Sequence, residues 1–258
     1  MLFRSLVLAL GVRFNDRVTG PSAARWARQA KIVHVDCDPS SIDKNVPVYL
    51  GIVADIKDLL TTVNSRVKPN ARAAWTAQVA AWKREMARGY RPLHRDVIMP
   101  QAAIEAIGRA TRGRAIVVAD VGQHQMWCAQ YLGHSRPRHF LSSGGMGTMG
   151  FAIPAAIGAA IARPDAKVVA VVGDGGAQMT SEELIVAVEE RLPIAFFVVN
   201  NRRLGLVRQM QKESFGGRYA ATTISSPDFV MLARAHGLRG VRVSDPRRLD
   251  AEIGRAHV

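Results

Sequence analysis

The feature that most constrains this chain is a recurring unit. A short run of β-branched and small apolar residues ends on a polar or glycine residue, and a stretch of helical composition follows. The runs are Lys31–Asp36 (KIVHVD), the start of Ile52–Leu60 (IVADIKDLL), Ala115–Asp120 (AIVVAD), Lys167–Gly173 (KVVAVVG) and Ile194–Asn200 (IAFFVVN). Runs that are apolar throughout, rather than alternating, suit strands covered on both faces, and parallel strands need a crossover between them. Helices are expected at Ala102–Ala110, Pro154–Ala162 and Ser181–Leu192, the last opened by a capping box of Thr180 and Glu183. The fold class is therefore α/β, with doubly wound parallel sheets. In such sheets ligands sit beyond the carboxyl ends of the strands, where Asp120, Asp174 and Asn200–Asn201 fall.

The pattern breaks once. Residues 64–99 carry Trp75, Trp82 and many Ala, Lys and Arg, and read as a helix near Arg72–Arg88 followed by an irregular linker to Pro100. The expected organisation is thus a first α/β portion (1–63), a linker with a helix (64–99) and a second α/β domain (100–258). Leu6–Val12 is apolar, ends at Arg13 and suits a buried strand. A secretion signal could be argued from Arg4 and Leu6–Leu10, but no small-residue cleavage site precedes RFNDR. No apolar run reaches the roughly 18 residues of a membrane span. Cys37 and Cys128 have no metal or CxxC spacing, so reduced thiols in a cytoplasmic setting are expected. The formal charge of +14 would suit a nucleic-acid binder. However, the basic residues are scattered, few aromatics lie among them and no recognition motif occurs. A solvated basic surface and no nucleic-acid or membrane partner is the expectation.

The richest chemistry lies in VVAVVGDGG followed by VVNN. Asp174 and Asn201 are 27 residues apart, the length of one loop, one helix and one strand, so the two strand ends can lie side by side. A carboxylate and an amide oxygen there suit a hard cation such as Mg²⁺, and Gly173, Gly175 and Gly176 let backbone amides approach a diphosphate. GDGG by itself also reads as a tight strand-to-helix loop.

With the paired Asn, the chain resembles thiamine-diphosphate enzymes, whose signature is GDG, about two dozen residues, then NN. GQHQMW (Gly122–Trp127) and SGGMGTMGFAIPAAIGA (Ser143–Ala159) narrow the resemblance to the acetolactate synthase catalytic subunit. The resemblance implies Mg²⁺ on Asp174, Asn201 and the backbone carbonyl of Arg203. It implies cofactor contacts from Gln123 and His124 at the diphosphate end, and from Gly147, Gly205 and Leu206. Met149 would wedge beneath the two rings to bend them. Alone, His124 reads as a core or capping histidine and Met149 as core filler, but an expected strand-end loop beside GDGG favours the cofactor role for His124. ALGVRFNDRVTG (Ala9–Gly20) and HVDCDPSSIDKNVPV (His34–Val48) resemble the family's FAD-binding central domain. That implies a structural FAD beside Gly11, Val12 and Arg13, with Asp36, Cys37, Asp55 and Ile56 near its ribose and adenine. Arg17 would stand at the substrate channel. Arg13 and Arg17 also read as surface charges beside Asp16.

The implied reaction joins two pyruvates into acetolactate with loss of CO₂, or pyruvate with 2-oxobutyrate, in branched-chain amino-acid biosynthesis. Full-length members of the family act as homodimers or tetramers with a small regulatory subunit. The family's pyrimidine-binding domain, which carries its catalytic Glu, has no counterpart here. No catalytic residue is therefore assigned, and the 258-residue chain by itself is expected to be inactive. MLFRS and EIGRAHV resemble translated sequencing-adapter ends. Met210 stands where the family usually has Trp, Leu206 where it often has Met and Asn15 where it often has Asp, which bears on acceptor preference. Other flavin-containing members of the superfamily, glyoxylate carboligase and pyruvate oxidase, are the nearest alternatives. A non-catalytic module that holds diphosphate and Mg²⁺ is the alternative of a different class.

Overall fold

The computed structural model describes residues 5–20, 22–85, 89–90, 94–133 and 136–256. The chain forms two compact units, residues 1–87 and 88–258.

The first unit is built on three parallel strands in the order β1 (Leu6–Leu10), β2 (Lys31–Asp36), β3 (Leu50–Val53). Helix α1 (Asp16–Thr19) is capped by Asn15, whose side chain accepts from Arg17 N and Val18 N. Helix α2 (Ile56–Asn64) is capped in the same way by Asp55. Helix α3 (Ala73–Glu85) buries no residue, and Trp75 and Trp82 meet edge to face at 5.5 Å. The helix expected to reach Arg88 thus runs to Glu85, and residues 86–88 lie outside the described residues. The core is small: Ala9, Phe14, Ile32 and Val46, with Trp26 and Val48 packed on it. β1 is not the buried strand expected. Leu6 and Leu8 are 62% and 52% exposed while Ala9 is buried, because alternate side chains point to opposite faces and the unit covers only one.

The second unit carries a four-stranded parallel sheet in the order β5 (Phe140–Ser142), β4 (Ile116–Ala119), β6 (Val168–Gly173), β7 (Ile194–Val199). Helices α4 (Pro100–Thr111), α5 (Gln123–Tyr131) and α11 (Leu249–Ala256) pack on one face, against Val117, Ala119, Val169 and Val171. On the other face α6 (Ala152–Ala162), α7 (Asp174–Met179) and α8 (Leu184–Glu189) pack against Ile116, Val118, Val168, Ala170 and Val172. This double cover is why β4 and β6 carry no polar side chain, each full valine burial contributing roughly 1.5–3 kcal/mol. Helices α9 (Gly205–Ser214) and α10 (Phe229–Ala235) follow β7.

Three local expectations are corrected. GDGG is no loop: Gly173 ends β6 and Asp174 begins α7 directly. GQHQMW is likewise not a strand-end loop, since Gln123 opens α5. No capping box forms at Thr180, whose hydroxyl donates instead to the Gly150 carbonyl (3.0 Å). The segment after it is a 3₁₀ turn, Ser181–Glu183, leading into the shorter α8.

Candidate functional site at the strand ends

In the second unit, β6 and β7 pair in parallel with Gly173 opposite Val199, so Asp174 and the Asn200–Asn201 pair leave neighbouring strand tips. Asp174 is 1% exposed, and one carboxylate oxygen, Oδ2, accepts from the Ser226 hydroxyl at 2.8 Å. Asn201 Oδ1 accepts from Arg203 N at 3.0 Å, which folds residues 201–203 into a tight turn. Leu204 N donates to Thr222 O and Ile224 N to Arg202 O, so Arg203 and Thr223 form an antiparallel bridge. In that arrangement Arg203 turns its own N–H and carbonyl away from the partner segment.

Gln123, Asn201, Arg203 and Gly205 line one cleft of about 500 Å³, together with Arg208 and Lys212. Gln123 Nε2 donates to Gln209 Oε1 (2.9 Å), and Gln209 passes the interaction to Glu213 (2.9 Å). A side chain at Gly205 would collide with Gln123 Oε1 and stand 3.4 Å from Asn201 Nδ2. The Arg208 guanidinium lies 3.6 Å above the Tyr219 ring. A larger depression, about 660 Å³, is lined by Glu105, Arg109, Arg112 and Tyr131. It lies at the amino ends of the strands, away from these groups.

Behind the cleft, His124 is packed against two glycines: a Cβ at Gly173 or Gly122 would stand 2.9 or 2.8 Å from its Cε1. Burial pulls its pKa down from 6.5 to about 4, opposed by a hydrogen bond to the Asp120 carbonyl. Nε2 is buried and finds no partner among the described residues. The neutral ring therefore presents an acceptor there. Met149 reaches the start of α7: its terminal methyl lies 3.4 Å from the Cβ position of Gly175, beside Leu204 and Ile224. Gly147 has φ +68 and open space around it, and Leu206 is half-buried on α9. Met210 is 50% exposed.

Two further residues organise this region, Asp120, which the sequence marks only as a strand end and to which it gives no role, and Ser226, which it does not mark. Asp120 is fully buried and accepts from Gly150 N (3.1 Å) and Phe151 N (2.9 Å), fixing the turn that carries Met149. Desolvation raises its pKa against the pull of those amides. A side chain at Gly176 would strike its carboxylate. Ser226 is the other. A polar residue ending an apolar run hints at Asp120, whereas no local pattern marks Ser226.

The first unit gathers its own set at the carboxyl edge of its sheet. Leu10 pairs with Val35 and Asp36 with Val53, so Gly11–Arg13, Asp36–Cys37 and Asp55–Ile56 all follow strand ends. Gly11 takes φ +62 and stands 3.0 Å, measured from its Cβ position, from Ile56 Cδ1. The Asp36 carboxylate accepts from Asp38 N (2.9 Å), and Asp55 Oδ1 is committed to capping α2. Cys37 is exposed, as are Arg13 and Arg17.

Among the described residues no three His, Cys, Asp or Glu side chains cluster as metal ligands. A cation here would draw on one carboxylate, amide and carbonyl oxygens, and its ligand's own phosphates. That donor set suits Mg²⁺ and disfavours Zn²⁺. No helix among the described residues is long and apolar enough to cross a membrane.

An open parallel sheet with a glycine-rich acidic strand-to-helix junction and a paired Asn at adjacent strand tips is the form of a diphosphate-and-cation binding domain. Residues 120–257 match the family described as thiamine pyrophosphate enzyme, C-terminal TPP binding domain, and residues 5–63 match the thiamine pyrophosphate enzyme central domain. The chain belongs to the thiamine pyrophosphate enzymes. It is 39% identical to the acetolactate synthase isozyme 3 large subunit of Escherichia coli, over 97% of this chain and 45% of that protein. It is 38% identical to the acetolactate synthase large subunit of Haemophilus influenzae, over 97% of this chain and 45% of that one. With the chloroplastic acetolactate synthase 1 of Zea mays the identity is 41%, over 96% of this chain and 41% of the relative. The chain spans less than half the length of these relatives.

Proposed function

We propose that this chain supplies the diphosphate-and-cation half of an acetolactate synthase active site. The observation that carries the reading is that Asp174 and Asn201 follow the ends of adjacent paired strands, while Asn201, Arg203 and Gln123 line one cleft there. The identity to acetolactate synthase large subunits along almost the whole chain supports it.

Asp174 and Asn201 would hold Mg²⁺ through side-chain oxygens, and Arg203 through its carbonyl, which explains a cationic residue at a cation site. Gly173, Gly175 and Gly176 admit His124, Leu204 and Asp120 into the space a Cβ would take, so the walls of the site close directly on the backbone that would meet the diphosphate. Gln123 and His124 stand at the diphosphate end, with Gly147, Gly205 and Leu206 around it. Bound thiamine diphosphate supplies the electron sink that decarboxylates one 2-oxo acid and joins the remainder to a second. Met149, an apolar and adaptable side chain against Gly175, is placed to set the shape of the ring site. The strand-end residues of the first unit, Gly11 to Arg13 with Asp36, Cys37, Asp55 and Ile56, would flank a structural FAD. Arg17 and Met210 would face substrate. The substrates are pyruvate and, as alternative acceptor, 2-oxobutyrate, in a dimeric or tetrameric enzyme joined by a small regulatory subunit.

The test is product formation by the full-length gene product. Pyruvate with thiamine diphosphate, Mg²⁺ and FAD should give acetolactate, and Asp174→Ala should abolish it. Oxidative conversion of pyruvate to acetate in place of acetolactate, or condensation of added glyoxylate with no condensation of pyruvate, would refute the assignment in favour of a pyruvate oxidase or a carboligase.

A further inference from the structure

We propose that Ser226 sets the ion selectivity of the Asp174 site by holding one carboxylate oxygen out of the coordination sphere. The inference rests on the reading of Asp174 as a cation ligand. The Ser226 hydroxyl donates to Asp174 Oδ2 at 2.8 Å, leaving Oδ1 as the oxygen offered to a cation.

Ser226 is held from both sides. Upstream, Thr222 and Ile224 pair with the 202–204 turn through two backbone hydrogen bonds, of 2.9 and 3.1 Å, and the Ile224 side chain lies against Gly175. Downstream, Pro227 restricts Ser226 to an extended backbone. Asp228 then caps α10 through Val230 N (2.9 Å) and Met231 N (3.2 Å), and pairs with Arg242 at 2.8 Å. One short segment thus braces the Asn201–Arg203 turn and the Asp174 carboxylate together, and the hydroxyl is fixed by covalent and hydrogen-bonded neighbours within a few residues.

Denticity then decides which ion is preferred. Mg²⁺ demands a near-octahedral shell with one oxygen from a carboxylate, whereas Ca²⁺ accepts a carboxylate through both oxygens and a larger, looser shell. Among the described residues no three His, Cys, Asp or Glu side chains cluster here, and Asn201 and Arg203 would each offer a single oxygen, so the protein's share of the shell turns on whether Asp174 offers one oxygen or two. With Oδ2 held by Ser226, the carboxylate stays monodentate and the site favours the smaller ion. Ser226 is a positioning residue acting through Asp174.

The experiment measures the affinities for Mg²⁺ and for Ca²⁺ of the full chain with thiamine diphosphate present, by calorimetry, in wild type, Ser226→Ala, Ser226→Thr and Ser226→Cys. Ser226→Ala should lower the Mg²⁺-to-Ca²⁺ affinity ratio by about tenfold, the scale of one hydrogen bond to a charged group. Ser226→Thr, which keeps the hydroxyl, should hold the ratio within about twofold on that same scale. Ser226→Cys, a weak donor of similar size, should fall between, and it carries the test if Ser226→Ala fails to fold. A ratio unchanged in the folded variants, or equal loss of both ions, overturns the role of Ser226 and leaves the cation site standing. Wild type that takes up neither ion with thiamine diphosphate overturns the cation site itself and this inference with it.

Discussion

His124 offers a sharp electrostatic test of the site. Burial lowers its pKa from 6.5 to about 4, and the ring sits wedged between Gly122 and Gly173 with Nε2 unpaired among the described residues. A base whose folded pKa is depressed contributes stability that is fully present above 6.5 and is lost as pH falls toward 4. The full difference corresponds to about 3 kcal/mol. At pH 5 the unfolded histidine is almost wholly charged and the native one almost wholly neutral, so the loss is already about 2 kcal/mol. That is a large share of a typical domain stability of about 5–15 kcal/mol. The assay is urea unfolding of wild type and His124→Gln at pH 7 and pH 5, followed by Trp127, the one tryptophan of the second unit, with Trp26, Trp75 and Trp82 replaced by Phe. Asp120 works in the opposite sense: its raised pKa favours the folded state at low pH, and that contribution is lost as pH rises. It is common to both proteins and cancels in the comparison. Wild type should lose about 2 kcal/mol more than His124→Gln between the two pH values. Equal losses, or an imidazole that titrates near 6.5 in the native protein, would refute the argument.

Other substitutions probe the same region. Asp120→Ala leaves the Gly150 and Phe151 amides without their carboxylate, and should destabilise the second unit by about 2–5 kcal/mol in denaturant unfolding. Gly205→Ala drives a methyl into Gln123 Oε1, and should weaken thiamine diphosphate affinity about tenfold or more while changing stability by about 1 kcal/mol or less. Met210→Trp should sharpen the choice between pyruvate and 2-oxobutyrate in competition assays of the full-length product, because a rigid ring replaces a flexible, half-exposed chain.

Much of the second unit is legible in its sequence, and the reason is burial. A parallel strand covered on both faces must be apolar at every position, so KVVAVVG and IAFFVVN mark β6 and β7 almost to the residue. β5, three residues at a sheet edge, is too short to leave such a mark. Helix α5 escapes notice because its residues are divided between tasks. Gln123 faces the cleft, His124 the glycines and Cys128 the core, so no helical stripe of apolar residues survives. DGGAQM reads as a turn by composition. It is nevertheless helical, and its two glycines answer to tertiary contact, since Leu204 and Asp120 occupy the space a side chain would fill. Thr180 looks like a cap but serves Gly150, a tertiary partner that no local window contains. The spacing of Asp174 and Asn201 is written along the chain. The hydroxyl on Asp174 comes from 52 residues further on, and only the folded segment 222–226 brings it there.

One titration reaches the heart of the account, that Asp174 and Asn201 jointly bind the cation on which the cofactor's diphosphate is held. Calorimetry of thiamine diphosphate into the full chain, with and without Mg²⁺, should show binding that requires the metal and disappears in Asp174→Ala and in Asn201→Ala. Binding of equal strength without a divalent ion, or in both variants, would contradict it.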